Sequence, residues 1–466
     1  MARLEINRRS VDPDICSAHA EDASGLRIVP EAVVRPADEK ELRAAVLEAA
    51  ARKEALTPAG LRTSTVGGPL AAQGAVLSLA KLNRILDIDA KQGVAIAQPG
   101  VVLGEFKAAV EGCGAYYPPD PTSEEECTLG GTVATNASGA RTLRWGSTRS
   151  WIRGLDVVLA NGERLKIENG RHKKSTAGYR ALQDPLDLFL APEGPLGLLE
   201  RVEVKLLPPP PPFFAAFAFF EEFYDAVDFV LQVRNTEHAR PRCLELLDDT
   251  ALDIVRPAAE GLDIPENARA GVFFEADAEG SLSEPVLSLE AWNDVLAANG
   301  ALVDATAVAF TVERKRLLRR LRHRVPTTLN EWGAAHREAG GRKVSTDFAV
   351  PPQRLPEMLR TVDRVTQTAG VDLVVRYGHV GDGHPHVFMR GRDAREVERL
   401  YDVAEILCRE AVRLGGTVVA EHGVGKVKQR FLPLQYPAPI LAAMQAIKRA
   451  LDPEGLLAPG NIFPGP

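Results

Sequence analysis

Residues 118–139 constrain this chain more than any other stretch. Pro118, Pro119 and Pro121 open it, fixing φ and removing three backbone donors. From Cys127 to Gly139 the side chains are small or hydroxyl-bearing, with three glycines and only Leu129 and Val133 as larger apolar groups. A packed core needs volume, so a run of this length is poor core material. Small side chains instead let the backbone approach a flat or charged ligand, and glycine opens positive φ. Backbone N–H groups in such loops form concavities that fit phosphate oxygens. A tight packing turn is the alternative, and the length of the run argues against it.

The chain of 466 residues is long enough for two or three domains with large cores. Its net charge of −7 predicts no general nucleic-acid footprint. No apolar run approaches the roughly 20 residues of a membrane span, and residues 1–7 lack the apolar core of a signal peptide. The five cysteines (Cys16, Cys113, Cys127, Cys243, Cys408) show neither a CxxC pair nor an iron–sulfur spacing. A reducing cytoplasm fits, with the protein soluble or peripheral to a membrane, and an iron–sulfur relay would need another chain.

Residues 38–53 are predicted to be a helix, capped by Asp38 with Glu41 three residues on and Leu42, Val46 and Ala49 on one face. A glycine-bearing loop follows at 57–68, then short buried strands at 75–79 and 94–97 and a helix at 103–112. Asn161-Gly162 between two apolar runs predicts a two-residue hairpin turn. A strand at 202–207 closes this part. The proline run 208–212 is a stiff spacer and marks a boundary. Beyond it strands are expected at 213–220, 272–275, 307–310, 343–350 and 373–377. Helices are expected near 284–298, 354–368 and 395–414, the last from the 3-4 spacing of Val397, Leu400, Ala404, Leu407, Ala411 and Leu414. This alternation predicts an antiparallel sheet with helices over one face.

The second informative stretch is 376–387, with His379, His384 and His386 around Asp382-Gly383. If Asp382-Gly383 is a two-residue turn, His379 lies opposite His386, close enough to share one metal. Glu421-His422 supplies another carboxylate and imidazole. Two histidines and a carboxylate leave an open coordination position, the arrangement of a catalytic zinc. The alternative is a histidine cluster held by hydrogen bonds. Residues 318–324 form a basic helix whose bland reading is a solvated face.

Taken together and in order, these motifs resemble the FAD-linked oxidoreductases of the vanillyl-alcohol oxidase type. Within that family they are similar to the D-lactate dehydrogenase, glycolate oxidase subunit and D-2-hydroxyglutarate dehydrogenase branch. The resemblance covers nearly the whole chain. It implies an α+β fold: a PCMH-type FAD-binding domain of two α+β subdomains (1–212), an antiparallel-sheet cap domain (213–420), and a final segment (421–466) returning to the FAD domain. It implies FAD contacts from Pro58, Ala59, Gly60, Leu61, Arg62, Thr63 and Ser64; from Pro121, Thr122, Gly130, Gly131, Ala134, Thr135, Asn136 and Gly139; and from Glu193, Gly194 and Leu199.

The sequence departs from the family pattern in places. Ala59 stands where an arginine is common and Arg62 where a glycine is common; Pro192 and Pro195 replace hydroxyl residues beside Glu193. No histidine lies between His19 and His172, so the flavin is expected to be non-covalent, with Cys127 a small buried residue. By resemblance His379, His386 and Glu421 bind a divalent metal, expected to be zinc. Arg322 anchors the substrate carboxylate with Lys343 as partner, His384 lies in the substrate site, and Pro326 replaces a second anchor. His422 is assigned as general base, since an imidazole works near neutral pH.

The implied activity is oxidation of a D-2-hydroxy acid by hydride transfer to FAD. A separate acceptor (quinone, electron-transfer flavoprotein or iron–sulfur subunit) would take the electrons, and a homodimer is compatible. Two rival readings are an alkylglycerone-phosphate-synthase-like flavoenzyme and a flavin-bearing subunit that only relays electrons. Bleaching of the flavin by substrate separates both from a dehydrogenase.

Overall fold

The computed structural model describes residues 8–168, 179, 184–259, 261–280 and 285–465. The amino-terminal segment 1–7, His172 and Glu284 lie outside the described residues. The chain divides into two compact units. The described residues of Met1–Ser138, Ser147–Pro210 and Glu421–Pro466 form one; those of Gly139–Gly146 and Pro211–Ala420 form the other. Among the described residues no helix is long and apolar enough to cross a membrane.

The first unit holds two sheets. Strands β1 (Arg9–Ser10), β2 (Ala32–Val34), β3 (Leu56–Ala59) and β4 (Ala75–Ser78) form one in the order β1-β2-β4-β3, with β4 parallel to both β2 and β3. Helix Glu39–Arg52 shares a core with it through Leu42, Ala45, Val46 and Ala49. The helix starts as its sequence predicts: Asp38 accepts the Glu41 amide, and the Glu41 side chain accepts the Ala37 amide.

The second sheet is antiparallel, with β5 (Ile85–Asp89), β6 (Val94–Ala97), β7 (Ile152–Val158), β8 (Arg164–Glu168) and β9 (Leu198–Lys205) in the order β5-β6-β9-β7-β8. Phe106 and Val110 of helix Leu103–Gly112 and Leu129 and Val133 of helix Leu129–Thr135 are buried in its core.

That last helix corrects the reading of 127–139 as open loop. Thr128 caps it by accepting the Gly131 amide, and Asn136 ends it at φ 48°. Leu129 and Val133, one helical turn apart, are its apolar face. The Asn161-Gly162 turn also differs from expectation. Leu159 N donates to Glu163 O and Gly162 N to Leu159 O, so Ala160-Asn161 is the turn centre and Gly162, at φ 78°, takes the bulge position after it.

Residues 421–466 contribute to this first unit. Leu56 N donates to Leu456 O and Ala458 N to Leu56 O, which extends the edge beyond β3. Lys448 of helix Ala438–Leu451 donates to Pro195 O and Leu457 O, each at 2.8 Å.

The second unit is built on one seven-stranded antiparallel sheet. Its strands are β10 (Phe213–Phe220), β11 (Pro241–Asp248), β12 (Ala270–Asp277), β13 (Ala307–Ala309), β14 (Gly340–Ser345), β15 (Val374–Gly378) and β16 (His386–Asp393), in the order β13-β10-β12-β11-β15-β16-β14. Helices cover both faces, not one. Phe217 and Phe219 share a core with Leu318, Leu321, Val325 and Leu329 of helix Val312–Ala334. From the opposite face Phe220 packs on Phe229 of helix Phe223–Asn235, and Phe274 stacks on Trp292 of helix Leu289–Ala298. The reason is visible in β10, which is apolar at every position and buried from Phe214 onward; such a strand has no solvent face. Residues 139–146 join this unit through Arg141, whose Nε and Nη2 donate to the buried Glu275 carboxylate at 2.8 and 3.2 Å.

Candidate active site

The chemistry-bearing side chains of the second unit converge where β11, the β15–β16 connection and the segment after β14 meet. The connection is not a two-residue turn. β15 and β16 pair with Tyr377 opposite His386, and residues 379–385 form a loop containing a short 3-10 turn. Asp382 N donates to His379 O, Gly383 N to Val380 O and His384 N to His379 O. Pro385 cannot continue the ladder. Gly383, at φ 72°, passes so close to Val350 O that a Cβ would lie 2.0 Å from it.

The histidines meet all the same. Ring centroids of His384 and His386 are 4.6 Å apart, those of His379 and His386 5.2 Å, and those of His379 and His384 5.7 Å. All three are buried. Gly378, at φ 110°, makes room for this cluster, because a Cβ there would meet the His386 ring at 2.5 Å.

Two carboxylates complete the cluster. Asp347, buried just after β14, has Oδ1 3.1 Å from His384 Nε2, and its carbonyl accepts the Ala420 amide. Glu245 of β11 is fully buried between two partners. Its Oε1 lies 2.6 Å from His379 Nδ1, and its Oε2 accepts from Arg322 Nε at 2.7 Å with Nη2 at 2.6 Å. Burial by itself raises the Glu245 pKa; His379 and Arg322 outweigh it and hold the carboxyl well below the usual carboxylate range. With Nδ1–H directed at Glu245, the lone pair of a neutral His379 sits on Nε2, the pattern of a carboxylate-oriented metal ligand. Asp382, in the 3-10 turn, is pushed up to about 6 by burial, partly offset by His379.

Sequence reasoning named Arg322, His379, His384 and His386, which the structure brings together. It missed Glu245 and Asp347. Asp347 lies four residues after Lys343 in the sequence. Lys343 lies on β14, where its Nζ reaches Asn330 Oδ1 at 2.5 Å. The Arg322 carbonyl has no helical donor four residues on, because Pro326 lacks an N–H. Glu421 and His422 open the final segment of the first unit, with His422 Nε2 3.4 Å from Glu421 Oε1.

In the first unit the predicted flavin segments pack by their small residues. A Cβ on Gly60 would meet Thr128 Oγ1, and one on Gly130 would meet Pro99 Cβ, each at 2.5 Å. This close backbone cradle, offering amides and hydroxyls, fits a dinucleotide. Arg62 sits at φ 60° and directs its guanidinium to Ala18 O at 3.1 Å, while Asp22 accepts the Gly67 amide at 2.9 Å. Glu193, at φ 54°, donates its amide to Ala134 O and is buried. Its carboxylate accepts from Val424 N and Gly425 N at 2.6 and 2.7 Å. Burial pushes its pKa up to about 7 against the pull of those amides and of Lys428 and Lys426.

Residues 30–168 match the family model described as FAD binding domain, and residues 210–462 match that described as FAD linked oxidases, C-terminal domain. The chain is 31% identical over 442 residues to glycolate oxidase subunit GlcD of Bacillus subtilis (strain 168), covering 93% of this chain and 89% of that one. It is 29% identical to a D-lactate dehydrogenase of Anaerostipes hadrus, with the same coverage of each. A crystal structure of p-cresol methylhydroxylase with substrate bound superposes with a TM-score of 0.72 at 18% identity, covering 98% of this chain and 94% of the other.

Proposed function

Because the chain belongs to the FAD-linked oxidases, we propose that it is a dehydrogenase oxidising a D-2-hydroxy acid to the 2-oxo acid. The observation that carries this reading is the buried group of three imidazoles and Asp347, with the Glu245–Arg322 pair against it. FAD, when bound, supplies the acceptor for the α-hydrogen as hydride. The nitrogen and oxygen donors fit a divalent cation of the zinc type. His379 and His386 are its proposed ligands, with Glu421 added by resemblance, and such a cation makes a nearby hydroxyl more acidic.

Each residue then has a task. Arg322 presents a planar cation to the substrate carboxylate, with Glu245 fixing its plane, and Lys343 adds charge. His384, whose Nε2 lies 3.1 Å from Asp347 Oδ1, lines the same site. His422 takes the hydroxyl proton. The natural electron acceptor is proposed to be a separate partner, and the compartment the cytoplasm.

Anaerobic titration of the flavin spectrum with paired D- and L-2-hydroxy acids tests the reading. Bleaching by a D-acid and not its mirror image is expected; no bleaching by any of them overturns it. Arg322→Lys keeps the charge and loses the fork, so KM should rise with the flavin spectrum unchanged. An unaltered KM would move the carboxylate anchor to Lys343.

A further inference from the structure

We propose that Glu193 is a positioning residue whose carboxylate holds the Gly423–Gly425 turn, and through it His422, and does not touch the flavin. The proposal rests on the assignment of His422 as base. The turn is an anion-binding concavity in miniature. Gly423 and Gly425 sit at φ 79° and 49°, and the successive amides of Val424 and Gly425 point at one acceptor. Its anion is internal. Glu193 places one oxygen on each amide from a position more than two hundred residues earlier in the chain.

The fit leaves no room for anything else at Gly423, where a Cβ would lie 2.8–3.0 Å from the carboxylate atoms. At Gly425 a Cβ would lie 2.2 Å from Val66 O. The turn is tied down on its far side too. Lys426 N donates to Val66 O at 2.8 Å, and Lys426 Nζ reaches Gly67 O at 3.2 Å and Asn461 Oδ1 at 2.5 Å. Asn461 Nδ2 in turn bridges Gly68 O and Glu193 O at 2.8 and 2.9 Å. Every one of these groups belongs to the first unit. A buried carboxylate costs free energy unless its hydrogen bonds are made, and here both go to the turn that follows His422.

The test uses the full chain saturated with FAD. In Glu193→Ala, hydrogen exchange at the Val424 and Gly425 amides should accelerate about 10–100-fold, with β9 amides unchanged. Anaerobic flavin reduction by a D-2-hydroxy acid should slow about tenfold, with the acid's Kd within a factor of two. The slowing should vanish when His422→Asn is already present, because both changes remove one function. Glu193→Gln, which keeps volume and one acceptor, should fall between the two and guards against a misfolded alanine variant.

Unchanged exchange at Val424 and Gly425 overturns the proposal. So does loss of FAD without faster exchange, which would give the carboxylate to the cofactor. So does faster exchange with undiminished reduction in an enzyme that His422→Asn does slow. If His422→Asn reduces flavin at the parental rate, the base assignment fails separately, and the exchange result alone decides whether Glu193 holds the turn.

Discussion

Glu245 and Glu193 are both buried carboxylates, and the chain neutralises them in different ways. Glu245 is met by the Arg322 guanidinium and the His379 ring, which hold its carboxyl well below the usual carboxylate range. Removing one member of such a pair strands the other. Glu245→Ala is therefore expected to destabilise the second unit by about 3–5 kcal/mol in denaturant unfolding, and to weaken any bound divalent cation about 10–100-fold by freeing the His379 ring. Glu193 is met by backbone amides, and its pKa in the folded chain, about 7, lies above its ordinary value. A raised carboxyl favours the protonated folded state, so its contribution is greatest below the unfolded pKa and falls as pH rises from about 4.5 to about 7, by at most about 3 kcal/mol. The thermal midpoint of the parent should drop across that window more steeply than that of Glu193→Gln; parallel curves would refute the titration. Neither role could be read from composition. Glu193 sits in a recognisable motif whose glycines suggest a ligand, not an internal partner. Glu245 sits in a strand with charges at Arg242, Glu245 and Asp248, which hides its burial.

Elements were legible where one pattern dominated. Helix Ala394–Arg413 follows its 3-4 apolar spacing, and helix Glu39–Arg52 its capping residues. β11 was illegible because its ion pairs satisfy charges that sequence patterning reserves for solvent. The histidine loop failed differently: Asp-Gly is a strong turn signal, yet Pro385 and the contact of Gly383 with Val350 select a longer loop. That loop makes Gly378 an element-level control point. Gly378→Ala adds a methyl where the His386 ring lies and strains a φ of 110°, so the cluster should open. Activity, and the content of any bound divalent cation, should both fall while FAD content is kept. Retention of metal and activity would show that the ring can move without cost.

At the scale of the molecule, the chain passes between its units at 138/139, 146/147, 210/211 and 420/421. A chain ending at Ala420 retains all seven strands of the second unit and loses the partners of Leu56, Pro195 and Glu193 in the first. Such a truncation should bind no FAD and expose the first unit to protease, while the second unit survives as a protected fragment; equal digestion of both would refute this expectation. The proline boundary made the crossing at 210/211 readable. The short visit of 139–146 was not, because its anchor is Arg141 on Glu275, a pairing between residues 134 apart.

This interleaving also sets an order of events during synthesis. Every residue of the second unit has been polymerised before the first of the 46 residues from 421 to 466 is added. At about 5–20 residues per second the Glu193 carboxylate waits roughly 10–50 s for the Val424 and Gly425 amides, and the β3 edge waits longer still. Lys426 and Asn461, which fasten the 67–68 loop, arrive near the end. The turn that holds the Glu193 carboxylate is thus among the last parts of the flavin unit to be made.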